Sequence, residues 1–303
     1  MITLFTTGKP FKGQAAVAQM NALASWKALD PSVEVLLFGD SEGAAEVAAE
    51  LGLVHVPEVG TNQFGTPLVR SMVDVGAQRG RYDIQAYVNC DIILLDDFLP
   101  AVRRVTHERF LLVGRRWDLD VPFSMAFNGD WIPSMRSLLR DNGVLHPPAG
   151  SDYFVYRRGT FPHLPPFAVG RNGWDNWMIY HTLMEGIPVV DGTSAITAVH
   201  QDHPRTRLED GGPDRNVEND LNEREAAASS GISLVHANWT LSGGGVRRKR
   251  SLRHRLETAG VLHILHPRIP CSAAISRVAR QWIREMDRRL PLTGVADDTH
   301  GAV

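Results

Sequence analysis

The stretch Asp83–Leu95, DIQAYVNCDIILL, reads as a buried apolar strand that stops on Asn89-Cys90-Asp91 and resumes as Ile-Ile-Leu-Leu. Burying a carboxylate in such a run is costly, so the interruption predicts a point where the backbone reaches a polar crevice. In open α/β sheets that point is the carboxyl edge of the strands. Asn89 and Asp91 are two apart, and in an extended strand both side chains face one side. One amide and one carboxylate there suit a divalent cation together with a ribose or a diphosphate. The competing reading is that the pair caps the strand by bonding to loop amides.

Upstream of this stretch, strands and helices alternate. Ile2–Thr6 reads as a buried strand, broken by Gly8-Lys9-Pro10 before an Ala-rich helix from Gln14 to Leu29. Val33–Phe38 is a second strand ending in Gly39-Asp40-Ser41, with a helix from Glu42 to Leu51 and a short strand Leu53–Val56 behind it. Pro67 opens a helix that runs to about Arg79. This alternation predicts an α/β fold with a mostly parallel sheet covered by helices on both faces. Thr6, Thr7, Gly8 and Asp40 then fall at the same sheet edge as Asp91. Asp40 is a candidate base or ribose contact, or else the N-cap of the next helix, which Ser41 could supply equally well.

Downstream the pattern is less regular. Phe110–Gly114, Tyr153–Tyr156 and Pro188–Val190 read as strands, and Trp174–Met184 as a helix. Residues 204–231 are polar and hold Gly211-Gly212-Pro213, the composition of a mobile loop or lid. Ile232–Val235 could return to the sheet. Gly243-Gly244-Gly245 marks a boundary between a first domain, residues 1–242, and a basic helical extension, residues 243–303.

With 303 residues and 43% apolar content the chain can bury a core without disulfides. A formal charge of −2 gives the chain as a whole no electrostatic case for nucleic acid. Cys90 and Cys271 are far apart and lack metal-ligand spacing, which predicts two free thiols in a reducing, cytoplasmic setting. The opening MITLFTTGKPFKG has no basic leader and no small-residue cleavage site, and no window approaches the length of a membrane span. A soluble, unsecreted protein is expected.

The segment NQFGTPLVRSMVDVGAQRGRYDIQAYVNCDIIL resembles the central stretch of the GT-A glycosyltransferases: a Gly-containing loop, an Arg on a helix, a Gly-Arg turn, then a strand ending in a DxD motif. GSDYFVYRRGTF and GRNGWDNWMIYHTLMEGIPVVDGTSAITAVHQDH resemble the acceptor half of bacterial and plant nucleotide-sugar transferases. The resemblance spans roughly residues 1 to 240. It implies a GT-A fold, a nucleotide-diphosphate sugar as donor, a glycan or lipid-linked acceptor, and a Mn²⁺ or Mg²⁺ ion. Asp91 takes the metal-binding position of DxD. Asn89 departs from the pattern and keeps only a ribose or supporting contact. Arg70 falls where the family contacts the diphosphate, with a surface ion pair as the alternative. Asp175 takes the position of the base that deprotonates the acceptor, beside Trp174, which would shield it and stack on a sugar; Asp152 is the rival carboxylate. His200 and His203 compete for the histidine that completes the metal shell.

Two other classes remain open. A sugar-phosphate nucleotidyltransferase would share the sheet, but its GxGTRxxP loop is absent after the first strand. A non-catalytic nucleotide-sugar or glycan-binding protein would account for the missing first Asp of DxD. A hydrolase built on the His200/His203 pair is the weakest reading. Finally, Arg247–Arg255 is strongly basic, and Ile275, Val278, Ala279, Trp282, Ile283, Met286 and Leu290 recur at helical spacing. Such a helix either packs on the catalytic domain or makes peripheral contact with an anionic membrane surface.

Overall fold

The protein was analysed as a computed structural model that describes residues 1–202 and 213–289. It divides into two compact units, Met1–Arg248 and Lys249–Val303.

The first unit contains β1 (Ile2–Thr7), β2 (Glu34–Phe38), β3 (Val54–Val56), β4 (Ile84–Val88), β5 (Ile92–Leu94), β6 (Leu111–Val113), β7 (Trp117–Asp120), β8 (Val144–Leu145), β9 (Tyr153–Arg157), β10 (Val189–Asp191), β11 (Ala198–Asp202), β12 (Trp239–Ser242) and β13 (Gly245–Arg248). Its helices are α1 (Gly13–Leu29), α2 (Ala44–Leu51), α3 (Val69–Arg79), α4 (Phe98–Arg103), α5 (Trp131–Asn142), α6 (Trp174–Met184) and α7 (Pro213–Glu225). The nine-stranded sheet has the order β13-β12-β10-β6-β9-β4-β1-β2-β3. It is parallel except at β9, which runs antiparallel to β4 and β6, and at the β12–β13 hairpin. The architecture is the α/β class expected, a large mostly parallel sheet flanked by helices. The order reverses beside β1, where α1 leads to β2 on one side and α3 leads to β4 on the other, and such a switch point opens a crevice at the carboxyl edge.

DIQAYVNCDIILL is two strands, not one interrupted strand. β4 lies in the large sheet, and β5 in a second sheet of order β5-β11-β7-β8. Between them the chain turns, with the Ile92 amide donating to the Asn89 carbonyl at 3.1 Å. The run IILL is continuously apolar because alternate residues feed different cores. Ile92 and Leu94 join the main core with Leu4, Trp26 and Val88, whereas Ile93 and Leu95 pack with Leu119, Met135 and Val199. Helix α1 secures the change of sheet: Trp26 Nε1 donates to the Ile92 carbonyl at 2.8 Å and Ser25 Oγ accepts from the Leu94 amide at 3.2 Å.

Residues 204–231 are not a loop throughout. Residues 204–212 lie outside the described residues, and Pro213–Glu225 forms α7. Two buried polar side chains pin this polar helix. Glu218, 2% exposed, accepts from Asn62 Nδ2 at 2.6 Å and from Arg171 Nε at 2.8 Å, and Asn222 brackets the Ala168 backbone at 2.9 and 3.0 Å. Leu234–His236 is a 3₁₀ turn closed by reciprocal Ser233 and His236 bonds, so β12 takes the sheet position expected of Ile232–Val235. Gly243 and Gly244 form the turn of the β12–β13 hairpin, with Gly245 at φ 90°, and the second unit begins after it.

The second unit holds α8 (Leu252–Gly260), α9 (Leu262–Leu265) and α10 (Ser272–Arg289). In it Arg253 pairs with Glu257 and Asp287.

Ile93→Ala removes a fully buried side chain from the smaller core and is expected to cost about 2–4 kcal/mol of stability in urea unfolding.

Candidate functional site

The large sheet delivers two backbone ends to one place. β4 stops at Val88, and β9, running the opposite way, starts at Tyr153 directly across from it. The ladder extends one rung beyond the strands, the Asn89 amide donating to the Asp152 carbonyl at 2.9 Å. Their side chains continue the contact, with Asn89 Nδ2 donating to Asp152 Oδ1 at 2.5 Å.

The second sheet brings in the rest by register. His200 on β11 lies opposite Asp118 on β7 and opposite Ile92 on β5, next to Asp91. His200 Nε2 lies 3.6 Å from Asp91 Oδ2, and its Nδ1 lies 3.5 Å from Asp118 Oδ1. Arg116 joins the two groups of carboxylates: its Nε donates to Asp118 Oδ1 at 2.9 Å and its Nη1 to Asp152 Oδ2. His146 Nδ1 meets Asp118 Oδ2 at 2.7 Å. Gln201 holds the turn beneath, donating to the Asp91 and Ala18 carbonyls at 3.0 and 2.8 Å and accepting from Asn21 at 2.9 Å.

These contacts set the charges. Burial pushes Asp118 up, but the bonds from His146 and Arg116 outweigh it and hold the carboxyl below its usual range. Burial would depress His200, yet the Asp91 carboxylate reverses that and raises it. Arg116 is likewise raised, its burial outweighed by Asp152 and Asp118. Asp175 goes the other way: burial raises it, only partly offset by backbone amides of Asn176 and Ser151, and Asp152 adds to the rise. The Ser151 amide reaches Asp175 Oδ2 at 3.4 Å, so Asp175 borders the same cluster. It lies in the first turn of α6, whose N-cap is Gly173 at φ 94°, and does not cap the helix.

Asn89, Asp91, Asp152, Asp175 and His200 thus converge. Asn89 and Asp91 do not face one side as an extended strand would require, because the turn sends one to Asp152 and the other to His200. Thr6 is fully buried, the Thr7 hydroxyl donates to the Phe38 carbonyl at 2.9 Å, and the Gly8 carbonyl accepts from Ser41 at 2.8 Å. Asp40 is exposed beyond β2 and caps nothing, since α2 starts at Gly43 without a side-chain cap. Arg70 stands exposed on α3 with its Nε 3.5 Å from Asp74, the surface ion pair that was its alternative. Trp174 is 5% exposed and lies edge-on to Tyr87 and tilted on Phe154, packed in the sheet's apolar layer rather than open to a sugar. His203 lies outside the described residues. Both cysteines are free, Cys90 buried and Cys271 exposed.

Sequence reasoning missed Arg116, Asp118 and His146. The only signal was Arg-x-Asp in RRWDLD, with Arg116 just before and Asp118 within a strand too short and polar to announce itself.

Among the described residues no three His, Cys, Asp or Glu side chains gather to enclose a metal. Asp91 and His200 supply one hard oxygen and one imidazole nitrogen, a donor set that fits Mn²⁺ or Mg²⁺ held jointly with phosphate oxygens and water. They do not form a resident, fully protein-lined cage.

No family model matches the chain, and no curated protein matches it by sequence. Among solved structures, glucosyl-3-phosphoglycerate synthase of M. tuberculosis is similar at 16% identity and a TM-score of 0.46, over 77% of this chain and 81% of that one. Its complex with Mn²⁺, uridine diphosphate and glucosyl-3-phosphoglycerate matches at 17% and 0.44, over 77% and 80%. A mycobacterial protein matches at 14% and 0.43, over 82% of both chains. At these values the likeness is a loose one of chain path.

Arg116→Met would leave Asp118 and Asp152 buried without their shared cation. A loss of about 3–5 kcal/mol in denaturant unfolding is expected.

Proposed function

We propose that the protein is a metal-dependent glycosyltransferase that moves a sugar from a nucleotide diphosphate to an acceptor hydroxyl. The observation that carries this reading is the facing of Asp91 and His200 at the carboxyl edge of the sheet, beside a partly buried Asp175. A Mn²⁺ or Mg²⁺ ion held by Asp91 and His200 would supply the positive charge that a leaving diphosphate needs.

The chain's own residues divide the remaining work. Asp175 accepts the acceptor hydroxyl proton as the acceptor oxygen bonds to the sugar carbon and the bond from that carbon to the diphosphate breaks, its electron pair leaving with the diphosphate. Asp152 is ill suited to that role, since Arg116 and Asn89 occupy both of its oxygens. Exposed Arg70 and Asp40 are the candidates for diphosphate and base or ribose contacts. Asn89 supports Asp152 in place of a metal, which accounts for the missing first Asp of DxD without loss of catalysis. A glycan or lipid-linked acceptor and a cytoplasmic setting belong to the same reading. No helix among the described residues is long and apolar enough to cross a membrane.

The purified chain is tested against UDP-, GDP- and dTDP-sugars with Mn²⁺ or with EDTA, following nucleotide release. Turnover of one donor that EDTA and Asp91→Ala abolish is expected. Tight donor binding without release in the presence of candidate acceptors would instead mark a binding protein.

Because burial raises Asp175, its ionised form accumulates at higher pH than that of an exposed aspartate, and kcat should rise as pH passes through the raised value. Asp175→Asn is expected to lower kcat by about 10²–10⁴-fold and to flatten this acid limb. An unchanged profile would exclude Asp175 as the base.

A further inference from the structure

We propose that α10 carries an adsorption surface for anionic lipid bilayers. Ile275, Val278 and Trp282 recur at i, i+3 and i+7 and are 43, 54 and 60% exposed. They form an apolar stripe on a helix whose Ser272, Ser276 and Ala279 are buried against the rest of its unit. Arg277, Arg284 and Arg288 recur at i, i+7 and i+11 on a third, exposed side. A helix lying with the stripe in the headgroup region would send these arginines upward along its flank, where long stems let guanidinium groups reach lipid phosphates.

Charge narrows the occupant. Lys249–Val303 holds ten Lys and Arg against five Asp and Glu, a net +5, in a chain whose total is −2. The remainder is therefore at −7 and carries the opposite sign. A second copy docking stripe to stripe would bring two +5 units together, which disfavours self-association. Nucleic acid would meet the cations but has no apolar layer to receive Ile275, Val278 and Trp282. An anionic bilayer offers both, negative phosphates above an apolar interior, and Trp favours that boundary. The inference stands on α10 and does not depend on glycosyl transfer.

The test is sedimentation of the full chain with vesicles of phosphatidylglycerol mixed into phosphatidylcholine, against pure phosphatidylcholine, with no donor present. Partitioning at least about tenfold stronger onto the anionic vesicles, weakening with added salt, is expected. Trp282→Ser combined with Val278→Ser should reduce it by at least about tenfold. Both side chains are exposed, so thermal unfolding followed by circular dichroism should be unchanged. The proposal is overturned by absence of partitioning, by equal partitioning onto neutral vesicles, by variants that bind as before, or by a dimer in sedimentation equilibrium that Trp282→Ser dissociates.

Discussion

The turn from Asn89 to Ile92 holds two sheets in register with one another, and the polar cluster exists only because it does. On one side of the turn, the β4–β9 ladder fixes Asn89 against Asp152. On the other, β5 pairs with β11 and places Asp91 beside His200. Shifting β5 by one residue would exchange its two faces, moving Ile92 and Leu94 out of the main core and Asp91 away from His200. Apolar burial thus enforces the register, and the charged residues inherit their positions from it. Trp26 and Gln201, both buried, bond to backbone carbonyls at Ile92 and Asp91 and keep the turn from relaxing.

What makes the cluster tolerable is its charge balance. Asp91, Asp118 and Asp152 would repel one another strongly in so confined a space. Arg116 answers two of them through separate nitrogens, and His200 lies between Asp91 and Asp118. An arginine suits this place better than a lysine because its planar fork reaches two carboxylates at once while remaining charged under burial. Arg116 thereby holds Asp118 and Asp152 in place. Asp175, at the border of the cluster, is touched chiefly by backbone amides, and its raised affinity for a proton follows from burial, with Asp152 adding to it.

The first half of the fold was legible because β1, β2 and β4 are short apolar runs separated by an Ala-rich helix and two amphipathic ones, and period and punctuation agree there. Trp174–Met184 was legible to the residue. The second sheet was not. β7 and β8 are short, and β7 carries Asp118 and Asp120 with Arg116 just before it, so hydropathy conceals the strand that completes the polar cluster. Helix α7 escaped for a similar reason: its composition is that of a solvated loop, and only tertiary contacts reveal Glu218 and Asn222 as anchors. The interrupted strand was recognised as the polar point of the sheet, but alternation within one strand could not reveal a change of sheet. Asn89 and Asp91 were therefore read as neighbours on one ligand when they serve different partners.

That separation bears on how a cation would be held. With Asn89 committed to Asp152, the proposed metal position has one carboxylate, Asp91, and one imidazole, His200, which is itself engaged by Asp91 and Asp118. On the proposed reading, Asp91 and His200 would hold a Mn²⁺ or Mg²⁺ ion only together with oxygens from other sources. A diphosphate brings several of these oxygens together with the negative charge that Asp91 alone does not provide. Cation and donor would therefore bind cooperatively, each completing the site for the other, and loss of the donor's diphosphate would weaken the hold on the metal. If the proposed function holds, so sparse a donor set would let nucleotide and cation leave together after transfer.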